Sequence, residues 1–235
     1  MRMEDVDVGR ARADVEARQR QDLQWLGLTW DEETPRQSTR DYARAAALLA
    51  PHTYRCQCTR ADIRGRGGRY DGHCRDRGLE TGALRLRLPN RDLSFTDRRW
   101  GAQSVHLGSL ADPVLQRRDG LWAYPLAVVV DDIRDGVTEV VRGADLLDVT
   151  AIQVHLWQLF GATPPTWMHT PLVLGHDDKK LSKSHGSQHV GALREAGATP
   201  NDIWRRVLPW LGLSGDTLDP AIFVANAGPL GPVRV

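Results

Sequence analysis

The sequence predicts an α/β fold built on a parallel sheet. Amphipathic helical segments alternate along the chain with short apolar segments of strand character. Hydrophobic residues make up 41% and charged residues 26% of the chain, an ordinary globular composition that excludes a disordered protein. At about 150 residues per domain, the 235 residues correspond to one large domain with room for a small insert.

Two helices are predicted in the amino-terminal part. Over residues 10–28 apolar residues recur between charged ones, which is the pattern of an amphipathic helix. A second helix covers residues 38–50 and stops at Pro51. Residues 59–82 are rich in glycine and arginine and poor in apolar residues, so we expect a loop or a small substructure there.

Strands are predicted in the middle of the chain. Leucine and arginine alternate over residues 84–88, as in an amphipathic strand. Residues 121–130 are nearly all apolar and are followed by Asp131 and Asp132, which predicts a buried strand with carboxylates at its carboxyl end. Residues 137–141 form another short strand.

The remaining predicted elements are helices over residues 145–160 and 200–213, with a short strand over residues 171–174 between them. Beyond Gly215 the chain is rich in glycine and proline and favours no element. Strands that alternate with helices in this way favour parallel pairing.

Charge and hydropathy indicate the cellular compartment of the protein. No apolar run approaches the roughly 20 residues of a membrane helix, and residues 1–20 are too charged for a signal peptide, so we expect a cytoplasmic protein without membrane contact. The net charge is +1, but residues 55–99 hold 12 Arg against 6 acidic residues, and residues 101–150 hold 4 Arg against 8. The basic segment, residues 55–99, either binds a polyanion or is a solvated, positively charged face beside the negatively charged face of residues 101–150.

All three lysines of the chain, Lys179, Lys180 and Lys183, lie in one stretch that also carries Ser182 and Ser184. Ammonium and hydroxyl groups at this spacing can bind phosphate and neutralise charge that develops during its transfer. A lone Lys-Lys pair would more simply be a solvated loop. The order Lys-Leu-Ser-Lys-Ser is similar to the second signature of class I aminoacyl-tRNA synthetases.

The three cysteines also cluster, as Cys56, Cys58 and Cys74 within 19 residues. An odd number in a reducing compartment argues against disulfides. Thiolates in a segment with little apolar material favour zinc, although free cysteines near a turn are the simpler alternative. The candidates for a fourth ligand are His73, His52 and Tyr70.

Two further positions suggest a ligand site at the ends of strands. Arg142 follows a predicted strand and precedes a glycine, where it could bind a carboxylate through two parallel hydrogen bonds. Tyr124 lies in the predicted buried strand, where a tyrosine is more often part of the core. Glu4 belongs to a short acidic run at the start of the chain, and most such runs are simply solvated.

As an ordered set, these residues resemble the glutamyl-queuosine tRNA(Asp) synthetases, which are short paralogues of glutamyl-tRNA synthetase in class I. The resemblance covers residues 1 to about 213 and rests on the stretches 2–5, 22–31, 54–60, 118–120, 123–132, 141–147, 169–172 and 180–183. It implies a Rossmann-like catalytic domain with a small zinc-bearing insert. The chain also stops where the long synthetases would begin an anticodon-binding region.

The resemblance also implies a reaction. Glutamate and ATP, the latter with Mg²⁺, would form glutamyl-adenylate, and the glutamyl group would pass to the queuosine base in the anticodon of tRNA(Asp). Monomer is the expectation that the family supplies.

Residue roles follow from the same resemblance. Glu4 would hold the amino group of glutamate, and Tyr124 and Arg142 would hold the rest of it. Lys183 would act in catalysis on the ATP phosphates with help from Lys180, and Ser182 and Ser184 would assist in binding ATP. Zinc would be held by Cys56, Cys58, Tyr70 and Cys74, which moves the expected fourth ligand from His73 to Tyr70.

The sequence departs from the family at its start. Members begin with a strand, a Pro-Ser-Pro-Thr-Gly-type loop and a His-x-Gly-type signature, and Met1 falls after them. The predicted parallel sheet is therefore amino-terminally incomplete, and we expect the true start to lie upstream. The alternatives are an inactive, zinc-bearing tRNA-binding relic or a fragment of a glutamyl-tRNA synthetase. Ile152 stands where the family usually has arginine, and the tail from Leu218 diverges.

The resemblance divides the chain into five segments. Residues 1–50 and 101–165 would be the two parts of the catalytic domain, and residues 51–100 the zinc-bearing insert. Residues 166–215 would carry the Lys-Leu-Ser-Lys-Ser loop and a helical stem region, and residues 216–235 a divergent tail.

Overall fold

A computed structural model describes residues 1–9, 11–174, 189–211 and 233–234. Within these ranges the helices are α1 (Ala13–Trp25), α2 (Ala43–Leu48), α3 (Arg60–Gly65), α4 (Tyr124–Arg134), α5 (Leu147–Leu159), α6 (Val190–Glu195) and α7 (Pro200–Val207). The strands are β1 (Thr53–Cys56), β2 (Ala83–Leu86), β3 (Asp92–Asp97), β4 (Gly101–His106), β5 (Val114–Gln116), β6 (Glu139–Gly143), β7 (Thr166–Thr170), β8 (Val173–Leu174) and β9 (Val233–Arg234).

The α/β class is confirmed, but the prediction of a parallel sheet is only partly right. The largest sheet is mixed and runs β4-β3-β7-β6. Strand β7 pairs in parallel with both β6 and β3, whereas β3 and β4 form an antiparallel hairpin. The lengths of the connections explain the difference. Parallel strands need a long connection, and helix α5 supplies it between β6 and β7. Antiparallel strands need only a short one, and residues 98–100 connect β3 to β4. A separate sheet, β1-β2-β5, is antiparallel, and β8 pairs with β9.

The prediction of a buried strand over residues 121–130 is wrong, because this segment contributes to helix α4. Pro125 lies in the first turn, where the missing N–H costs no hydrogen bond. The seven residues from Leu126 to Asp132 are all buried. A short run of consecutive apolar residues fits a buried strand and a buried helix equally well, and periodicity alone does not distinguish the two. Asp131 and Asp132 therefore lie inside a helix and not at a strand end.

Most of the other predicted elements are present with shorter bounds. Helices α1, α5 and α7 and strands β2, β6 and β8 lie within or beside the predicted segments. The helix predicted over 38–50 is limited to α2, with 3-10 turns at Gln37–Thr39 and Ala50–His52. The elements that were not predicted are β1, β3, β4, β5, β7, β9 and α6, together with α3 inside the expected loop.

The main core lies where helices α4 and α5 pack together, with α5 against β3 of the mixed sheet and α4 against β5 of the antiparallel sheet. Its fully buried side chains include Leu126 and Leu156, one from each helix. A second, small cluster consists of Cys56, Tyr70 and Cys74. Among the described residues, no helix has the length and apolar character needed to span a membrane.

Candidate functional site

The three residues expected to hold an amino acid line one open cavity of about 590 Å³. Glu4 comes from the amino-terminal segment, Tyr124 is the first residue of α4, and Arg142 lies near the end of β6. They are far apart in sequence, and the chain brings them together because α4 leads into β6 beside the amino-terminal segment.

Arg142 is held by three neutral side-chain acceptors, and the Leu146 carbonyl lies 3.4 Å from its Nη2. Its Nη1 donates to Oε1 of Gln153 at 2.7 Å and its Nη2 to Oγ1 of Thr150 at 2.8 Å. Thr150 and Gln153 are three residues apart on α5 and so share one face of that helix. The Nε of Arg142 donates to Nε2 of His169 at 3.1 Å, and the guanidinium lies 4.8 Å from the ring centre of Trp167.

Within the described part of the chain Arg142 forms no ion pair at 4.0 Å or less, and Asp132 and Asp145 act on its charge only from a longer distance. Burial lowers the pKa of Arg142, and the neighbouring hydroxyl of Tyr124 partly opposes that shift. An arginine remains protonated at neutral pH. The guanidinium is therefore a half-buried cation on a cavity wall, which suits a carboxylate ligand.

On the part of the cavity around Glu4 the side chains are mainly carboxylates. The guanidinium of Arg2 bridges Glu4, Asp132 and Asp135, with N–O distances between 2.5 and 3.1 Å. All four residues line the cavity. Burial raises the pKa of Asp132, while Arg2 opposes the shift. Asp135 is also paired with Arg40 at 2.9 Å, so three carboxylates face two arginines. Glu4 is the most exposed of the three carboxylates, and it can therefore accept from an ammonium group while Arg142 binds a carboxylate.

Sequence reasoning missed the groups that hold Arg142. Thr150, Gln153 and His169 are buried, and so is Asp97, which accepts from Nδ1 of His169 at 2.7 Å. The available signal was polar residues within otherwise apolar segments, because a buried polar group needs a hydrogen-bonding partner. The phosphate-binding candidates Lys180, Lys183, Ser182 and Ser184 lie outside the described residues.

The predicted metal cluster does assemble. The sulfur atoms of Cys56, Cys58 and Cys74 all lie within 4.8 Å of one another, and the Cys58 and Cys74 sulfurs are 3.5 Å apart. Zinc bound by thiolates has Zn–S distances of about 2.3 Å in a tetrahedral arrangement. The three sulfurs are spaced closely enough to share one such ion.

Tyr70 and His73 differ in their relation to this cluster. Tyr70 is buried with Cys56 and Cys74, and its hydroxyl accepts a hydrogen bond from the backbone N–H of Cys74 at 2.9 Å. His73 is exposed and its Nε2 lies 2.9 Å from Nη1 of Arg77. Neither His73 nor His52 belongs to the group of ligand atoms found together in the described residues. The geometry thus favours Tyr70 as a fourth donor.

Positive charge surrounds the cysteines. Nη2 of Arg66 lies 2.9 Å from the Cys58 sulfur, and the guanidinium of Arg85 is 3.8 Å from the ring centre of Tyr70. Burial favours the neutral thiol of Cys56, but the Arg85 guanidinium and neighbouring donors outweigh it and lower the pKa of Cys56. Burial and the neighbouring Cys74 raise the pKa of Cys58 to about 11. Arg85 therefore favours the thiolate of Cys56, the form that binds metal, whereas burial and Cys74 favour the neutral thiol of Cys58.

Comparison with known proteins defines the class. Residues 1–218 match the family model described as tRNA synthetases class I (E and Q), catalytic domain. The chain therefore belongs to the class I glutamyl- and glutaminyl-tRNA synthetase family. The chain aligns along its whole length with the crystal structure of a glutamate-tRNA synthetase from Elizabethkingia anophelis, with a TM-score of 0.83 and 25% identity, and it covers 60% of that chain.

Among curated proteins, the chain is similar to the glutamyl-Q tRNA(Asp) synthetases. It is 42% identical over 207 residues to the one from Pseudomonas aeruginosa strain PAO1, and the alignment covers 85% of this chain and 70% of that protein. It is 46% identical over 213 residues to the one from Klebsiella pneumoniae strain 342, and the alignment covers 86% of this chain and 71% of that protein. The chain thus spans about 70% of the length of these relatives and 60% of the solved synthetase.

Proposed function

We propose that the chain activates glutamate with ATP and transfers the glutamyl group to the queuosine base in the anticodon of tRNA(Asp). The observation that carries the proposal is the single cavity lined by Glu4, Tyr124 and Arg142. It occurs in a chain that is 42% and 46% identical to proteins named glutamyl-Q tRNA(Asp) synthetase. A zwitterionic amino acid matches a cavity with a cationic wall and an anionic wall.

In this proposal each wall binds one end of glutamate. Arg142 donates to a carboxylate, and its neutral neighbours leave its charge available for that contact. Glu4 accepts from the ammonium group, because its side chain is the most exposed of the three carboxylates that Arg2 contacts in the cavity. Tyr124 contributes a hydroxyl beside Arg142. Fixed charges of this kind hold the substrate in the orientation that the reaction needs.

The chemistry proceeds in two displacements. A carboxylate oxygen of glutamate attacks the α-phosphorus of ATP, and pyrophosphate leaves with the bonding electrons. A hydroxyl of the cyclopentenediol of queuosine then attacks the carbonyl of the adenylate and gives up its proton to solvent, and AMP leaves with the electrons of the broken C–O bond. Lys183, with Lys180, is proposed to stabilise the charge that develops on the phosphates, while Ser182 and Ser184 bind ATP.

We also propose a structural zinc ion held by Cys56, Cys58, Cys74 and Tyr70. The proximity of the three sulfurs supports it, as does the burial of Tyr70 among them. The apolar cluster around these residues is small, so a metal would supply cohesion that packing cannot. We further propose that the chain consists of five segments with boundaries after residues 50, 100, 165 and 215.

Labelled glutamate tests the function. The protein is incubated with ATP, labelled glutamate and tRNA(Asp) that carries queuosine, and the tRNA is then cut with a nuclease. We expect label in the anticodon fragment, and none when the same tRNA carries guanosine in place of queuosine. Label on the 3′-terminal adenosine would instead indicate a glutamyl-tRNA synthetase. Zinc and tRNA binding without any label would indicate a non-catalytic module.

A further inference from the structure

Three side chains from neighbouring parallel strands form a line of hydrogen bonds across the mixed sheet. Arg142 on β6 and His169 on β7 are direct partners in the parallel ladder, and Asp97 ends β3 on the other side of β7. Nε of Arg142 lies 3.1 Å from Nε2 of His169, and Nδ1 of His169 lies 2.7 Å from Oδ2 of Asp97. The strand register itself brings the three groups together.

The chemistry of the groups fixes the direction of each bond. A guanidinium can only donate, so Nε2 of His169 must be unprotonated to accept from Arg142. The imidazole is then neutral, its proton is on Nδ1, and it donates to Asp97. The hydroxyl of Thr150 is 3.1 Å from the same Nε2, but it also lies 2.9 Å from the Leu146 carbonyl, which can accept its proton.

Asp97 is held as firmly as the histidine. Its Oδ1 accepts from the backbone N–H groups of Arg99 and Trp100 at 2.9 Å, and its Oδ2 accepts from that of His169 at 3.1 Å. The His169 side chain is fully buried, and Asp97 is 1% exposed. Water therefore cannot compete for these bonds, and the imidazole has one orientation and one tautomer.

We propose that Asp97 and His169 are positioning residues that orient the Arg142 guanidinium toward the carboxylate of the amino acid substrate. The inference rests on the proposed function, since it assigns Arg142 to glutamate. Nε is anchored from the sheet by His169, while Thr150 and Gln153 anchor the Nη atoms from α5. Because all three acceptors are uncharged, the guanidinium is oriented without losing its charge to a neighbour.

Two substitutions of His169 separate this role from ordinary packing. In His169→Gln the amide oxygen can reach the position of Nε2 and accept from Arg142, but the bond to Asp97 is lost. In His169→Asn the amide nitrogen can donate to Asp97 in place of Nδ1, but nothing reaches Arg142. We expect His169→Asn to weaken glutamate binding about tenfold or more, and His169→Gln by about threefold at most, because only His169→Gln keeps an acceptor for Arg142, the residue proposed to contact glutamate.

Calorimetric titration with glutamate measures both variants against the wild-type chain, and thermal unfolding reports their stability. If His169→Asn binds glutamate as well as the wild type, or if His169→Gln is the weaker of the two, the positioning role is overturned and the proposed function is untouched. If the wild-type chain does not bind glutamate, the proposed function fails and the positioning role fails with it.

A second measurement needs no variant and no ligand. Nitrogen-15 NMR of the wild-type histidine side chains distinguishes protonated from unprotonated ring nitrogens. We expect His169 at neutral pH to carry its proton on Nδ1 and to have an unprotonated Nε2. A proton on Nε2 would exclude the bond from Arg142 and overturn the inference, whatever the protein binds.

Discussion

Arg40 and Asp131 form an ion pair of 3.0 Å that is almost completely buried, with 8% of the Arg40 side chain and none of the Asp131 side chain exposed. Asp131 also accepts from Nε2 of Gln37 at 3.0 Å and from the hydroxyl of Tyr42 at 2.8 Å. One carboxylate of α4 thus ties the segment before α2 to the helix whose first residue, Tyr124, enters the proposed site.

Removal of this carboxylate is expected to destabilise the protein strongly. Asp131→Ala leaves the buried Arg40 guanidinium without one of its two carboxylate partners, and breaking a buried pair costs about 3–5 kcal/mol. The free energy of unfolding in urea measures this loss. As a control, Asp76→Ala removes an exposed partner of Arg87 and should cost about 1 kcal/mol or less. Equal losses in the two variants would contradict the structural role of Asp131.

Arg142→Lys is expected to impair glutamate binding even though the charge is retained. A lysine has no planar fork and cannot donate at once to His169, Thr150 and Gln153 while it binds a carboxylate. We expect an affinity loss of about tenfold or more, measured as a smaller rise of the melting temperature in glutamate. Arg18→Lys, on the exposed surface of α1, is the matched control and should respond to glutamate like the wild type.

The metal proposal predicts one zinc ion per chain by elemental analysis. Cys58→Ser should lower the zinc content, because one of three thiolate ligands is lost. Tyr70→Phe should weaken zinc binding in competition with a chelator, whereas His73→Gln should leave it unchanged. A loss in His73→Gln without one in Tyr70→Phe would reverse the assignment of the fourth ligand.

Acid is expected to destabilise the fold in part through His155. This histidine is buried, and its Nδ1 has no hydrogen-bond partner. Burial, with smaller contributions from Arg91 and His52, lowers its pKa from 6.5 to about 4. The unfolded chain takes up a proton first, so the neutral histidine's contribution is complete above pH 6.5 and is lost as the pH falls toward 4.

The free energy of unfolding as a function of pH tests this expectation. His155→Leu should reduce the decline between pH 6.5 and 4, by about 3 kcal/mol at most. His106→Gln replaces an exposed histidine and serves as the control. Parallel curves for the wild type and His155→Leu would show that His155 does not titrate as inferred.

Periodicity did not distinguish a buried helix from a buried strand. Helix α5 is buried over eight consecutive residues and was predicted as a helix, whereas α4 is buried over seven and was predicted as a strand. The two differ in composition, because Thr150, Gln153 and His155 interrupt the apolar residues of α5, whereas residues 126–130 of α4 are all apolar. The edge of the mixed sheet was also missed. Strand β4 combines small and polar residues with only partial burial, so its sequence has little strand character. Its pairing with β3 depends on the tertiary structure and not on its own residues.

The site was predicted where residue chemistry alone is informative. Clustered cysteines indicated a metal, and Arg142 after a strand indicated a carboxylate ligand. Asp97 and His169 carry no such signal, because their role depends on a strand register that brings residues 72 positions apart into contact. Sequence reasoning found the groups that would touch ligands and missed the groups that hold them in place.

The cavity of Glu4, Tyr124 and Arg142 is proposed to bind glutamate by both of its charged ends. Calorimetric titration of the wild-type chain with glutamate and with glutarate, which lacks the ammonium group, tests it most directly. We predict one glutamate per chain and clearly weaker binding of glutarate, because nothing then replaces the contact with Glu4. No heat of binding with glutamate, or equal affinity for the two compounds, would contradict the account.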